Sequence, residues 1–421
     1  MEEVEIPSYF LCPISLQIMR DPVTLTTGIS YERESIERWI FSGKHEICPV
    51  TKQPLPDLEL TPNHTLRRLI QAWCAANASY GIERFPTPRP PVDKAQIAAL
   101  LDEAKLPHSQ MSALRKLKAI VSESERNKRC VVEASGAVDF LASLIKKSKS
   151  NPREHEQEGI ISINDAIDQS SQNTASDEAL SILYSLQISE QSLLHLIESN
   201  NDIIESLTTI LRRSNYRSRA YAILLLKSLV SVIAPSRLTS FSQEFFEEVV
   251  SVLRDQISHQ AARAALQVLG VLSPWGRNKV KAVEAGAVQV VIELLLDETE
   301  RRACEVMLVV LDRLCGCAEG RAEMVGHAAG LAVVSKKVVG VTQVASERAV
   351  RILYSVARFS PTPAVLHEMV QVGVVTKLCM FLQMESGEKA KEKAKEILRL
   401  HSKVWRNSPC LAPEFLASYP R

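Results

Sequence analysis

From Ala95 to Trp405 apolar residues recur at helical spacing, almost without interruption. Four segments share one form: VEASGAVDFLASLI ending at Ile145, VEAGAVQVVIELLLD ending at Asp297, GHAAGLAVVSKKVV ending at Val339 and VQVGVVTKLCMFL ending at Leu382. A glycine precedes the apolar helix in each, at Gly136, Gly286, Gly330 and Gly373, and the last three are 44 and 43 residues apart. About one period before Gly286 stands Glu244 in SQEFFEEVVSVLRD, and one more period back stands Asn201 in ESNNDIIESLTTIL. Asparagine tolerates a left-handed backbone better than most residues, so Asn201 is expected to take the place of the glycine. Second helices rich in Ala and Leu lie between these segments, at Ser218–Val232, Ala261–Leu272, Arg301–Leu314 and Glu347–Phe359. One such unit cannot bury its apolar face alone, so the pattern predicts a stack of helical repeats with one continuous core.

The spacing breaks once. Gly136 and Asn201 are 65 residues apart, and the excess coincides with the polar stretch 146–177. That stretch reads as a surface insertion, with a short helix expected at Ile160–Ile167. The last helix, Gly387–Trp405, is rich in Lys and Glu and reads as a polar cap, followed by a tail at 406–421. At the other end of the stack, residues 81–94 hold Pro86, Pro88, Pro90 and Pro91. These forbid a helix and mark a boundary between a solenoid at 95–405 and a smaller domain at 5–80.

The smaller domain has a different texture. Two loops open alike, Cys12-Pro13-Ile14 and Cys48-Pro49-Val50. Asp21-Pro22 and Gly28 punctuate a short hairpin. Tyr31–Phe41 is a helical run with Ile36, Trp39 and Ile40 on or beside one face. A second helix is capped near Asn63 and carries Leu66, Leu69, Ile70 and Trp73 as its apolar stripe.

Composition narrows the function classes. The formal net charge of +1 provides no general attraction to nucleic acid or anionic lipid. No apolar run approaches a membrane span, and MEEVEIPSYF lacks a signal-peptide pattern. Nine cysteines without a regular framework point to a reducing compartment, the cytoplasm and also the nucleus, with peripheral membrane association left open.

The smaller domain resembles the U-box, the zinc-free relative of the RING domain. The residues that carry the resemblance are Cys12-Pro13-Ile14, Asp21-Pro22-Val23, Gly28, Tyr31-Glu32-Arg33, Ile36, Trp39, Cys48-Pro49, Thr51, Pro62-Asn63 and Leu66-Arg67. The period in the low forties and the Glu-Ala-Gly-Ala-Val form at 284–288 resemble the armadillo repeat. The stretch LTPNHTLRRLIQAWCAANASYGIERFPTP and the ending KEKAKEILRLHSKVWRNSPC resemble the plant class that joins the two. The implied fold is a small α+β U-box followed by an all-α armadillo solenoid. The implied function is a ubiquitin-protein ligase, with a prior for stress and defence signalling. Its partners would be a ubiquitin-loaded conjugating enzyme on the U-box and a protein substrate on the solenoid, with self-association compatible.

RING zinc sites need paired ligands at short spacing, whereas Cys12, Cys48 and Cys74 stand alone and only His45 and His64 are near. They read as small buried hydrophobes, so no metal or cofactor is expected. Asp21, Glu32, Arg33, Glu34, Arg38 and Asn63 are then the candidates for holding the loops by hydrogen bonds and ion pairs. The resemblance implies a conjugating-enzyme groove of Ile14, Leu16, Trp39 and Pro49, with Lys52 bracing ubiquitin. For Leu16 core burial, and for Lys52 plain solvation, remain competing readings. No cysteine has the electropositive setting of a thioester-forming ligase, so no catalytic residue is assigned to this chain. A non-catalytic armadillo scaffold and a lipid-binding solenoid are the alternative classes.

Overall fold

The computed structural model describes residues 6–43, 45–55, 57, 60–77, 92–134, 136–147, 174–239 and 241–406. The insertion at 146–177 lies mostly outside these residues, as do the helix expected at Ile160–Ile167, most of the connector and the tail. The chain forms two compact units, Met1–Leu141 with Ser185–Gln187, and Ala142–Tyr184 with Ile188–Arg421.

The first unit begins with a three-stranded sheet. Strand β1 (Pro22–Thr24) lies between β2 (Ser30–Glu32) and β3 (Thr61–Pro62), antiparallel to both. Gly28 turns the β1–β2 hairpin at φ 79°, a conformation that only glycine adopts without strain. Helix α1 (Arg33–Glu37) runs into a widened turn at Arg38–Ser42, closed by Gly43 N donating to Arg38 O at 2.9 Å. Helix α2 (His64–Ala76) buries Ile70 and Cys74, whereas Leu69, expected on its buried stripe, is 52% exposed. Phe10, Val23, Leu25, Tyr31, Ile36 and Ile40 form the centre of the core.

The two Cys-Pro loops are near copies of each other. Cys12 N donates to Gln17 O and Leu16 N to Cys12 O, both at 2.8 Å. In the second loop Cys48 N donates to Gln53 O at 2.8 Å and Lys52 N to Cys48 O at 3.0 Å. Leu16 and Lys52 occupy the same left-handed backbone position, φ 57° and 60°. Side chains complete the frame. Tyr31 Oη lies 3.1 Å from Cys48 Sγ, and Thr27 Oγ1 and Thr51 N each donate to that sulfur at 3.5 Å. Asn63 caps α2 by accepting from Leu66 N at 2.9 Å, and its amide donates to Thr24 and Ser30 at 3.3 and 3.2 Å. Arg33 Nε meets Asp21 Oδ2 at 2.5 Å, and Glu32 Oε2 accepts from Arg20 N and Asp21 N at 2.6 and 3.1 Å. Thus Asp21, Glu32, Arg33 and Asn63 support the sheet and loops, whereas Glu34 and Arg38 pair with each other at 2.7 Å on the surface.

The same unit includes helices α3 (Lys94–Lys105), α4 (Gln110–Glu123) and α5 (Glu125–Glu133). The Arg129 guanidinium of α5 stacks 3.3 Å from the Phe41 ring centroid. Buried Glu37 of α1 feels Arg126 and Arg129 as well as Arg33, although burial dominates and pushes its carboxyl upward.

In the second unit the helices Tyr216–Val232, His259–Leu272, Arg301–Leu314, Gln343–Phe359 and Glu388–Leu400 start 42 to 45 residues apart. Each packs on the next to make a ladder. Hydrogen bonds join residues 39 or 40 apart in neighbouring repeats: Asn278 Nδ2 to Leu238 O at 2.6 Å, Lys337 Nζ to Glu298 O at 2.8 Å and Ser355 Oγ to Cys315 O at 2.9 Å. Gly286 and Gly373 are left-handed at φ 84° and 73°. Asn201 and Gly330 are not. Ile203 N donates to Asn200 O in an ordinary turn before the helix, so no left-handed residue is needed at 201. Gly330 instead has no room for a side chain, because a Cβ would overlap the Met324 carbonyl. Ser242 caps the helix that follows it and does the work of the glycine missing near Glu244. The final helix is amphipathic rather than uniformly polar, with Ala394, Ile397 and Leu398 fully buried. It breaks at His401, beyond which Trp405 is also enclosed.

Two outcomes follow. The Cys48 thiol would be raised by burial, but hydrogen bonds from Thr27, Thr51 and Tyr31 outweigh this and bring it down to about 6. A depressed folded value adds stability above the unfolded thiol range and loses it as pH falls through about 6. Denaturant unfolding of the first unit should therefore show stability rising between pH 6 and 9, and Cys48→Ala should flatten that rise. In the second unit, a Cβ at Gly320 would overlap the Leu314 carbonyl. Gly320→Ala should cost about 1–3 kcal/mol and lower the thermal midpoint of that unit.

Candidate functional site

Trp39 is the centre of the candidate surface. The widened turn rotates it partly out of the core, where it stays half-buried. Its indole Nε1 donates to Ile47 O at 2.9 Å, which ties the helix to the start of the second Cys-Pro loop. His45 stacks on the ring, with centroids 4.0 Å apart and planes inclined by 28°. Lys52 Nζ lies 6.0 Å from the same ring, at the outer reach of a cation–π contact.

Beside Trp39 is an open cavity of about 550 Å³, lined by Ile14, Ser15, Ser35, Arg38, Trp39 and His45, with Gly43 at its edge. The structure therefore brings Ile14 and Trp39 together and sets Lys52 next to them. Pro49 is half-buried on the second loop and does not line this cavity. Leu16 is 74% exposed, which rules out the core alternative, but it also stands outside the cavity. Its left-handed backbone turns the side chain away from the core that Cys12 enters.

The sequence alone did not place Arg38, His45 or Val50 at this surface. Val50 is 50% exposed and is the counterpart of Ile14 in the second loop, so the shared Cys-Pro form was the signal for it. Arg38 and His45 carried no such signal, since their approach to Ile14 depends on the widened turn and on the stacking with Trp39.

The chemistry available is binding. Among the described residues, no group of three or more His, Cys, Asp or Glu side chains could hold a metal ion. Cys48 is the thiol brought down to about 6, yet it is fully buried and already receives three hydrogen bonds. Burial raises the thiols of Cys74, Cys315, Cys317 and Cys379. No single described helix is long and apolar enough to cross a membrane. One bent pair, Pro363–Gln371 and Val374–Gln383, passes that test together, but it packs Val365, Met369, Leu378 and Phe381 into the solenoid core.

Comparison with known proteins agrees with this geometry. Residues 6–79 match the family model of the U-box domain, and residues 96–420 match that of the plant U-box protein ARM repeat region. The Arabidopsis thaliana E3 ubiquitin-protein ligases PUB23 and PUB22 are each 51% identical over all of this chain, covering 98% and 99% of their own lengths. PUB24 from the same plant is 36% identical over 97% of this chain and 95% of its own. A solved structure from work on cadherin and beta-catenin shares the fold at TM-score 0.57 and 15% identity, covering 82% of this chain and 58% of that one. An N-terminal domain built on two hydrogen-bonded Cys-Pro loops and a helical ladder with a period in the low forties are thus the two parts of one known architecture, and the chain belongs to the plant U-box proteins with an ARM repeat region.

Proposed function

We propose that this chain is a ubiquitin-protein ligase that works by binding. The observation that carries the reading is the 51% identity over the full length to two proteins named as such ligases. The surface around Ile14 and Trp39 supports that reading, since an exposed apolar cluster around a partly buried aromatic suits partner docking. A ubiquitin-conjugating enzyme docks on Ile14, Val50, Trp39 and the neighbouring Pro49, with Lys52 and Arg38 at the rim. The solenoid holds the protein substrate.

In the reaction, the substrate lysine amine attacks the thioester carbonyl carbon. A C–N bond forms, the C–S bond breaks, the conjugating enzyme's cysteine leaves as thiolate, and the amine gives up its proton. Among its described residues this chain contributes no nucleophile, because the two thiols that are lowered, Cys12 and Cys48, are both enclosed. Its contribution is effective concentration and orientation. The eight described cysteines are all free, which supports action in the cytosol or nucleus.

The full-length protein, incubated with ubiquitin, ATP, activating enzyme and a panel of conjugating enzymes, should build ubiquitin chains. Samples quenched without reductant should carry no reducible ubiquitin adduct on this protein. Chain building with no conjugating enzyme of the panel would leave only the scaffold reading. Ile14→Ala should lose most activity with little change in thermal midpoint. Trp39→Ala should lose activity and also cost roughly 1–3 kcal/mol of stability, because it removes packing and the Ile47 hydrogen bond. Full activity of Ile14→Ala would move the docking surface elsewhere.

A further inference from the structure

Three consecutive ladder helices, Tyr216–Val232, His259–Leu272 and Arg301–Leu314, line an open cavity of about 340 Å³. Its lining is mostly aliphatic, with Val230, Leu266, Val306 and Val310 among the walls. Gly270 keeps one wall low: a Cβ there would stand 3.4 Å from Arg313 Nη1 and 3.8 Å from Val310 Cγ2. Exposed Lys227 and Val271 stand at the mouth.

Two polar groups in this cavity lack partners among the described residues. Gln267 Oε1 is buried and accepts no hydrogen bond. The Arg313 guanidinium, half-buried, makes no hydrogen bond or ion pair. Its neighbour Asp312 is already bound to Arg348 at 2.8 Å and Arg351 at 3.0 Å. Burial and the nearby Arg348 disfavour the charge on Arg313 and outweigh the support it receives from Asp312. Glu305, the acidic residue of the lining, accepts from Thr342 at 3.1 Å. A cation left unpaired beside an aliphatic hollow is complementary to a carboxylate attached to an apolar group. The cavity spans three successive helices, as an extended chain would.

We infer that this groove docks an extended protein segment that places a bulky aliphatic side chain in the hollow and an adjacent Asp or Glu on Arg313, with Gln267 hydrogen-bonded to the segment's backbone. The inference deepens the reading of the solenoid as the substrate-holding part and rests on it. Lys227 adds positive charge at the entrance, so binding weakens as salt rises.

The test probes an array of synthetic ten-residue peptides with the full-length protein. A central Leu is fixed, and each flanking position is varied through all residues. The unsubstituted protein should select Asp or Glu beside the Leu, and replacing that Leu by Ala should reduce binding at least tenfold. Arg313→Glu should switch the selection to Lys or Arg. Gly270→Leu, which fills the hollow, should abolish binding of every array member. Thermal unfolding of both variants checks that the solenoid remains folded, and Arg313→Met serves as the second variant, which should lose acid selection without changing the thermal midpoint. Unchanged acid selection by folded Arg313→Glu overturns the inference while leaving the solenoid as the substrate-holding part. Selection of basic residues by the unsubstituted protein overturns it, as does binding of isovalerate with no peptide selected. Failure of the solenoid reading would show separately, as a ubiquitinated substrate whose binding to the full-length protein is lost with Ile14→Ala.

Discussion

One sulfur atom, Cys48 Sγ, holds the second Cys-Pro loop in place, and much of the proposed docking surface depends on it. Tyr31 reaches it from β2, Thr27 from the hairpin and Thr51 from the loop itself. The loop needs that support because Lys52 sits at φ 60°, a conformation that costs a non-glycine residue about 1–2 kcal/mol. Leu16 imposes the same strain on the first loop, where Cys12 is lowered by backbone N–H groups against the opposing effect of burial. Each loop is therefore a strained turn closed around a buried thiol that accepts hydrogen bonds. Sulfur suits this role, being large enough to accept several donors and apolar enough to fill a core.

Trp39 joins that frame to function. Its hydrogen bond to Ile47 O fixes the approach to the second loop while its ring forms a wall of the cavity beside Ile14. The widened turn makes both possible. A regular α-helix would continue the Ile36–Ile40 face inward, whereas the extra residue per turn lets Ile40 stay buried as Trp39 moves toward the surface. The neighbouring turn residue Phe41 is covered by Arg129 of α5, so the turn is gripped on two sides. Folding and the proposed docking thus share residues here, and Ile14, on a strained loop, is the more separable of the two candidate anchors.

The repeat period, the loop duplication and the Asn63 cap were legible in the sequence because each depends on local chemistry that recurs. What escaped it depended on contacts between distant segments. Asn201 has a residue type suited to a left-handed turn, but the preceding helix ends in a conformation that makes one unnecessary. Gly330 matched its counterparts in position, yet it is glycine because of the Met324 carbonyl rather than because of its own dihedral angles. Trp405, in a stretch that reads as polar, is buried beside His401, whose ring reaches Ala357 O at 2.8 Å. At the candidate site, Ile14 and Trp39 were named from the family resemblance, whereas His45 required the stacking geometry. Leu16 shows that position on the correct loop does not place a residue in the cavity.

The solenoid follows a simple rule with a local exception. The ion pairs among its described residues mostly join neighbouring repeats, as in Arg348 with Asp312 and Arg212 with Glu248. A stack built this way gains little from leaving a half-buried cation unpaired, since the desolvation cost is borne at every moment the site is empty. Arg313 bears that cost beside a hollow that Gly270 keeps open, although glycine in a helix interior is itself destabilising relative to alanine by roughly 0.5–1 kcal/mol. Two such departures converging on one cavity are hard to reconcile with a role confined to holding the stack together. A ligase without a nucleophile has only binding with which to accelerate its reaction, and a surface whose unpaired charge and open wall are completed by the arriving segment converts that cost into selectivity.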